Sequence, residues 1–104
     1  MGVMMSVLMS GLLYGADIAD GQRIYRANCQ ACHGERADGK GVAAAALDPA
    51  PTDFTKPEYW MNKTDRMVAS AIRVGSPGTS MMGFSNLSSE EIDDLVAFLR
   101  TRKE

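Results

Sequence analysis

Apolar side chains recur at helical spacing in three parts of the chain, which predicts three helices. The first helix is expected over residues 18–31, where Ile24 and Tyr25 fall on one side. The last helix has the clearest signals, because Ser88 and Glu91 have the spacing of a capping box. The apolar stripe of this last helix consists of Ile92, Leu95, Val96 and Leu99.

The third predicted helix lies between these two. It is expected to begin after Thr64, since threonine is a preferred N-cap residue, and to end at Gly75. Met67 is interpreted as a core residue, because a methionine on the apolar face of a helix usually fills a core. The full apolar face of this helix is predicted to hold Met67, Val68, Ala71 and Ile72.

Glycine and proline punctuate the stretches between the helices. Residues 34–53 and 75–86 are therefore predicted to be ordered loops, the first with a helical turn at residues 43–47. A loop as long as the first is expected in a compact domain only where it wraps a ligand. No segment alternates between polar and apolar residues as a strand does. The predicted fold class is all-α with long loops.

The charges are unevenly distributed along the 104 residues, a length typical of one domain. All 11 basic and 13 acidic residues lie in residues 17–104. Residues 1–16 have the character of a signal-peptide core and are shorter than the roughly 20 apolar residues of a membrane-spanning helix. We interpret this leader as a signal-peptide remnant or an anchor, with a buried N-terminal helix as the alternative. The working domain is then residues 17–104.

Composition excludes several functional classes. The formal net charge of −2 gives no basic excess that would attract nucleic acid. With two cysteines and one histidine, the chain cannot build a zinc finger or a catalytic metal site of several histidines. A domain this small usually needs a cofactor, a metal or a disulfide to be stable.

The two cysteines and the histidine form the motif Cys29-Gln30-Ala31-Cys32-His33. Thiols three positions apart on one helical turn can each add to a vinyl group of a single haem, and His33 can then ligate the iron. The alternatives are weaker. A thioredoxin-type dithiol needs a βαβ context, a zinc site needs a fourth ligand, and a disulfide across so small a loop stabilises little. Covalent attachment of haem is the preferred interpretation.

The wider sequence resembles the class I c-type cytochromes, and most of all the small bacterial monohaem modules also found as subunits of terminal oxidases. The resemblance implies three to five short helices and long loops around one covalent haem c. It also implies that the N- and C-terminal helices cross, with Gly21, Tyr25 and Phe98 at the contact. Beside these residues and the cysteine motif with Gly34, the resemblance is carried by Pro49-x-Pro51-x-Asp53-Phe54, Ile72-x-x-Gly75, Gly78-Thr79-Ser80-Met81 and Leu95-Val96-Ala97-Phe98-Leu99-Arg100.

The second axial ligand of the iron is expected to be a methionine sulfur, because the chain has no second histidine and thioethers suit soft metal sites. The family pattern at this point is Met-Pro-x-Phe, and this chain has Met81-Met82-Gly83-Phe84. Met81 matches the ligand, with Met82 as the fallback. Met82 also replaces the proline, which would have stiffened the loop.

The surroundings of the haem are predicted less specifically. The other ring N–H of His33 is expected to bond a backbone carbonyl within residues 42–51, with Pro49 as a candidate. The haem propionates have several candidate partners, each expected more often to pack or to face solvent than to bind. These candidates are Trp60, Arg36, Lys40, Arg73 and Tyr59.

The resemblance implies a one-electron carrier rather than an enzyme. Its partners would be redox proteins such as an oxidase, a reductase or other cytochromes, docking on the uncharged surface of Gln30, Ala31 and residues 75–83. A monomer in the bacterial periplasm is expected, either soluble or tethered through residues 1–16. The alternative function is a gas-binding or sensing haem protein with a displaceable methionine. A minimal peroxidase is disfavoured, because no second histidine or distal acid–base pair is present.

Overall fold

The computed structural model describes residues 15–104, so the predicted leader of residues 1–16 lies almost wholly outside the described residues. In the described part of the chain, the helices are α1 (Ile18–Asn28), α2 (Gln30–His33), α3 (Pro57–Met61), α4 (Asp65–Val74) and α5 (Ser89–Arg100). A 3-10 turn at Ala44–Ala46 falls where the helical turn was predicted.

The predicted all-α class is confirmed. Over residues 15–104 the chain forms no strand, and its one extended pairing is an isolated antiparallel bridge between Gly75 and Met82. None of the helices in this range has the length and apolar character needed to cross a bilayer.

Helices α1 and α5 pack closely together and form the centre of the fold. Gly21 lies directly against the backbone of α5, where a side chain would overlap the carbonyl of Asp94. Beside this close approach, the rings of Tyr25 and Phe98 are 5.3 Å apart. The Asp17 N–H donates to Asp94 Oδ1 at 2.8 Å and joins the start of α1 to α5. The predicted helix crossing and its residues are confirmed.

The sequence signals of α5 are also confirmed. Glu91 N–H donates to Ser88 Oγ at 3.0 Å, and Ser88 N–H donates to the Glu91 carboxylate at 2.8 Å. These two bonds complete the capping box. The buried residues of this helix are Ile92, Leu95, Val96, Phe98 and Leu99, which include the whole predicted stripe.

The prediction for the first helix is wrong at its end, because α1 stops at Asn28 and α2 is a separate turn. The Asn28 side chain donates to the Ile24 carbonyl at 3.0 Å, a local bond that competes with continuation of the helix. Cys29 then leaves helical geometry with φ −122°. The helical pattern could not reveal this break, since the residues on both sides of it are helical.

The apolar face of α4 is narrower than predicted. Val68 and Ile72 are 2% and 5% exposed, but Met67 is 50% exposed and Ala71 is also at the surface. The interpretation of Met67 as a core residue is therefore wrong. The side of α4 that faces the core holds Val68, Ile72 and the partly buried Ala69, and Met67 and Ala71 lie outside it.

Candidate functional site

Helix α2 gathers the two thiols and the imidazole into one turn. The N–H groups of Cys32 and His33 both donate to the Cys29 carbonyl, at 3.2 and 2.9 Å. Cys29 and Cys32 are not joined to each other by a disulfide, and both side chains are partly buried. Burial, together with the neighbouring Cys32 sulfur, raises the pKa of the Cys29 thiol to about 12. The three side chains are thus presented together by a helix of only four residues.

A helix this short leaves its carbonyls without partners, and the following loop supplies them. The N–H groups of Gly39, Gly41 and Ala43 donate to the carbonyls of His33, Cys32 and Ala31, at 2.7, 3.1 and 2.9 Å. Gly41 comes so close to the Ala31 carbonyl that a Cβ would overlap it. The glycines predicted to punctuate this loop therefore hold the turn that carries the cysteines.

The His33 ring is fixed in orientation by a carbonyl and an aromatic ring. His33 Nδ1 lies 3.1 Å from the Thr52 carbonyl oxygen, and the Phe54 ring is 4.9 Å away between centroids. Because a carbonyl can only accept, Nδ1 carries the proton and Nε2 keeps its lone pair. Burial lowers the pKa of His33 and favours the neutral ring. The predicted acceptor in residues 42–51, Pro49 included, is wrong; Thr52 lies one residue beyond that segment.

The cysteines and the histidine face a cavity of about 610 Å³, which lies within the range of roughly 300–1,000 Å³ typical of ligand pockets. Among residues 15–104, no aspartate, glutamate, lysine or arginine lines it. Its lining residues are Asn28, Cys29, Ala31, Cys32, His33, Leu47, Pro49, Ala50, Pro51, Thr52, Ser76, Thr79, Ser80, Met81, Met82 and Phe84. The cavity is therefore mostly apolar, with hydroxyl and carbonyl groups at a few points.

Both candidate methionines belong to the loop that follows α4. The Ser76 N–H donates to the Met81 carbonyl at 3.0 Å, and this bond closes a tight turn in the loop. Met81 is partly buried, whereas Met82 is 70% exposed, although both line the cavity. The loop presents Met81 from a segment separate from the one that presents His33.

None of the candidate propionate partners lines the cavity. Trp60 is buried, and its ring N–H donates to the Phe54 carbonyl at 2.9 Å. Tyr59 packs edge-on against Trp60, with ring centroids 4.9 Å apart. Arg36, Lys40 and Arg73 are exposed. Arg36 also lies 3.7 Å from the Glu104 carboxylate, measured from its Nη2 to the nearer oxygen.

Residues 15–104 contain no cluster of three or more His, Cys, Asp or Glu side chains arranged to hold a metal ion. The set of donors around the cavity is instead two thiols, one imidazole and two thioethers, the chemistry that suits a covalently attached haem.

Comparison with known proteins agrees with this chemistry. The sequence model of the cytochrome c family matches residues 18–103, and the chain belongs to this family. Its cofactor is accordingly a covalently bound c-type haem, and its function is haem-based electron transfer.

Individual relatives differ in length. The chain is 36% identical over 93 residues to the dihydro-heme d1 dehydrogenase of Pseudomonas aeruginosa, covering 88% of this chain but only 17% of that protein. The structure of the c-type cytochrome KustC0563 aligns with a TM-score of 0.71 at 27% identity, covering 82% of this chain and 99% of that one. A chain of the Kuenenia stuttgartiensis reducing HAO-like protein complex Kustc0457/Kustc0458 aligns with a TM-score of 0.73 at 24% identity, covering 81% and 41%, which shows the shared fold.

Proposed function

We propose that the chain is a one-electron carrier whose haem is attached through Cys29 and Cys32, with His33 and Met81 as the axial ligands of the iron. The observation that supports this most strongly is that all four side chains line one cavity free of charged residues. Three of the groups, Cys29, Cys32 and His33, come from α2 and its flank, and Met81 comes from a distant loop, so two separate segments line the cavity.

The residues of the chain have separate tasks in this proposal. The Thr52 carbonyl holds the His33 ring so that Nε2 can donate its lone pair. Met81 offers a soft sulfur, which raises the reduction potential relative to stronger donors. Leu47, Phe84 and their apolar neighbours give the cavity an apolar lining, which would limit the contact of a bound haem with water. The bound haem supplies the redox chemistry, its iron alternating between the ferrous and ferric states.

We propose that the partners are redox proteins, such as an oxidase, a reductase or another cytochrome, and that the chain acts as a monomer in the periplasm. Export is part of the proposal because bacterial c-type haem is attached outside the cytoplasm. Export is also what we expect of a chain with a leader such as residues 1–16. An enzymatic role is not proposed, because His33 is the only acid–base side chain among the cavity residues apart from the two thiols.

Haem attachment is tested by mass and extraction. The holoprotein should exceed the apoprotein mass by one haem, and acid–organic extraction should leave the colour on the chain. Cys29→Ala and Cys32→Ala should each leave one thioether bond, and the double variant should release the haem. An apoprotein with two free thiols after extraction would contradict the attachment.

Met81 ligation is tested by comparing two adjacent substitutions. In Met81→Ala the sulfur-to-iron charge-transfer absorption of the ferric holoprotein should vanish, and the reduction potential should fall. Met82→Ala is the matched control and should keep both properties. The reverse result would assign the ligand to Met82. Rapid binding of CO to the ferrous wild type without denaturant would instead favour the gas-binding alternative.

A further inference from the structure

Helix α4 carries a second apolar line that faces outward. Met67, Ala71 and Val74 follow one another at helical spacing, on a different side of the helix from the buried Val68 and Ile72. Met67 is 50% exposed and Val74 is 65% exposed, and Ala71 lies at the surface between them. No other part of residues 15–104 covers this line.

Two arginines flank the outward line. Arg66 and Arg73 are two turns apart on α4, and both are exposed. Neither takes part in an ion pair within residues 15–104. The one acidic residue of the helix, Asp65, is already paired with Arg100 of α5. This side of α4 is therefore cationic on a chain whose net charge is −2.

The outward line leads to the haem cavity. The backbone of Gly83 lies against that of Val74, and the bridge between Gly75 and Met82 continues the contact. Met82 is 70% exposed and also lines the cavity. Met67, Ala71, Val74 and Met82, which we call the α4 band, thus run from the surface of α4 to the edge of the cavity.

We propose that the α4 band is the docking surface for a redox partner that presents an apolar patch surrounded by carboxylates. The proposal rests on the electron-carrier function proposed above, since docking beside the cavity places the partner close to the haem. The apolar side chains provide contact area, and Arg66 and Arg73 attract carboxylates, which arginine can bind with two parallel hydrogen bonds. Small interfaces of this kind are typical of transient redox complexes.

The two arginines beside the band, Arg66 and Arg73, argue against a second copy of the chain as its occupant. A two-fold dimer places the same patch of both protomers face to face, and here that would bring two pairs of arginines together. An anionic membrane would also attract Arg66 and Arg73. A lipid surface, however, offers no electron acceptor next to Met82, where the band reaches the cavity.

The experiment uses the holoprotein and, as the probe, an acidic blue-copper protein in its Cu(II) form. One electron leaves the reduced chain and reduces Cu(II) to Cu(I), and stopped flow gives the second-order rate constant. The double variant Arg66→Gln/Arg73→Gln should lower this constant about tenfold at low ionic strength, with the difference shrinking as salt screens the charges. Val74→Gln should lower it through loss of apolar contact.

The matched control is Arg23→Gln/Arg26→Gln, which removes the same charge from α1, a helix that packs on α5. It should change the rate constant by less than about twofold. NMR shift mapping with the probe should show changes along α4 and at Met82. Equal rate effects for the two double variants, or shifts confined to the side of Ala31 and Pro49, would overturn the proposal. A dimer seen by sedimentation that the α4 variants dissociate would also overturn it. So would binding of the chain to phosphatidylserine vesicles and not to the probe, if the α4 variants abolish that binding.

Failure of the docking proposal can be told from failure of the carrier function. None of the substituted residues lines the cavity, so every variant should keep the wild-type absorption spectrum and potential. If the wild-type holoprotein reduces neither the probe nor ferricyanide, the carrier function itself is wrong. If it reduces ferricyanide and the probe at rates that the α4 substitutions leave unchanged, only the docking surface is wrong.

Discussion

The hydroxyl of Thr79 braces the backbone of Met81. The Met81 N–H donates to Thr79 Oγ1 at 3.1 Å, and the same hydroxyl donates to the Ser76 carbonyl at 2.7 Å. In the sequence pattern that this loop resembles, Met-Pro-x-Phe, a proline follows the methionine directly, where this chain has Met82. Because proline fixes φ and methionine does not, the loop needs another source of stiffness, and the two bonds of Thr79 provide it.

Thr79→Val is predicted to loosen Met81, since valine keeps the shape of threonine but makes neither hydrogen bond. Each lost bond costs about 0.5–1.5 kcal/mol in loop stability. The sulfur-to-iron absorption of the ferric holoprotein should weaken, and CO should bind the ferrous form faster. Ser80→Ala is the control, because Ser80 lies between Thr79 and Met81 and its side chain makes neither of the two hydrogen bonds of Thr79. An unchanged spectrum in Thr79→Val would show that the brace does not hold the ligand.

Met82→Pro is predicted to restore the proposed ligation by Met81 in the Thr79→Val background. The Met82 N–H makes no hydrogen bond to the chain within residues 15–104, so a proline removes no bond there. Its ring also restricts the conformation of the preceding Met81. The double variant should recover the charge-transfer absorption that Thr79→Val loses. A double variant that is weaker than Thr79→Val would show that the proline does not fit this loop.

Gly21→Ala is predicted to destabilise the fold, although helix propensity alone favours alanine over glycine by up to about 1 kcal/mol. The added methyl would overlap the Asp94 carbonyl, which is backbone and cannot turn aside. Forcing α1 and α5 apart costs about 1–3 kcal/mol, as overpacking does elsewhere. Thermal unfolding measures the loss, with Gln22→Ala on the same helix as the control. A higher melting temperature for Gly21→Ala would mean that the helices are not in close contact.

Asp94→Asn is predicted to stabilise the fold at neutral pH. Burial raises the pKa of the Asp94 carboxyl, and repulsion from Asp20 and Asp17 adds to this. A raised carboxyl pKa means that the charged form is the less stable one in the folded chain. Asparagine removes the charge and keeps an oxygen that can accept the Asp17 N–H. The gain should be below about 1 kcal/mol, because the group is partly exposed.

The pH dependence gives the sharper test of this effect. The gain from Asp94→Asn should be present at pH 7 and should disappear below about pH 4, where the carboxyl is protonated in both the folded and the unfolded chain. Denaturant unfolding at several pH values measures it. Asp93→Asn, at the exposed neighbouring position, is the control for a general change in net charge. An equal gain in the free energy of unfolding for Asp93→Asn would show that the effect comes from net charge and not from the surroundings of Asp94.

Local signals in the sequence were sufficient for α5 and for the haem motif. Ser88 and Glu91 cap the helix through bonds between residues three positions apart, and such bonds depend little on the rest of the fold. The cysteine motif is equally local, because its spacing alone places both thiols on one turn. The contact of Gly21 with α5 is long-range, and the family resemblance predicted it.

The features that the sequence analysis missed depend on tertiary contacts. Helix α3 has five residues and begins with Pro57. Proline interrupts a helix when it lies in the interior, but it is favoured at the first position. Met67 was misplaced because the width of a buried stripe depends on how the neighbouring helix lies. The acceptor for His33 was missed by one residue, since no local pattern distinguishes Thr52 from the carbonyls before it.

Backbone hydrogen bonds fix both segments that line the cavity: the N–H groups of Gly39, Gly41 and Ala43 bond the carbonyls of α2, and the Thr79 hydroxyl bonds the loop that carries Met81. Gly39 and Gly41 fix the turn that presents His33, and the Ser76–Met81 bond fixes the other segment. Segments held in this way rearrange little when an electron arrives or leaves. In the described part of the chain, no charged side chain lines the cavity that could move in response. The reorganisation energy of the chain should therefore be small, which lets electron exchange be fast even when the driving force is slight.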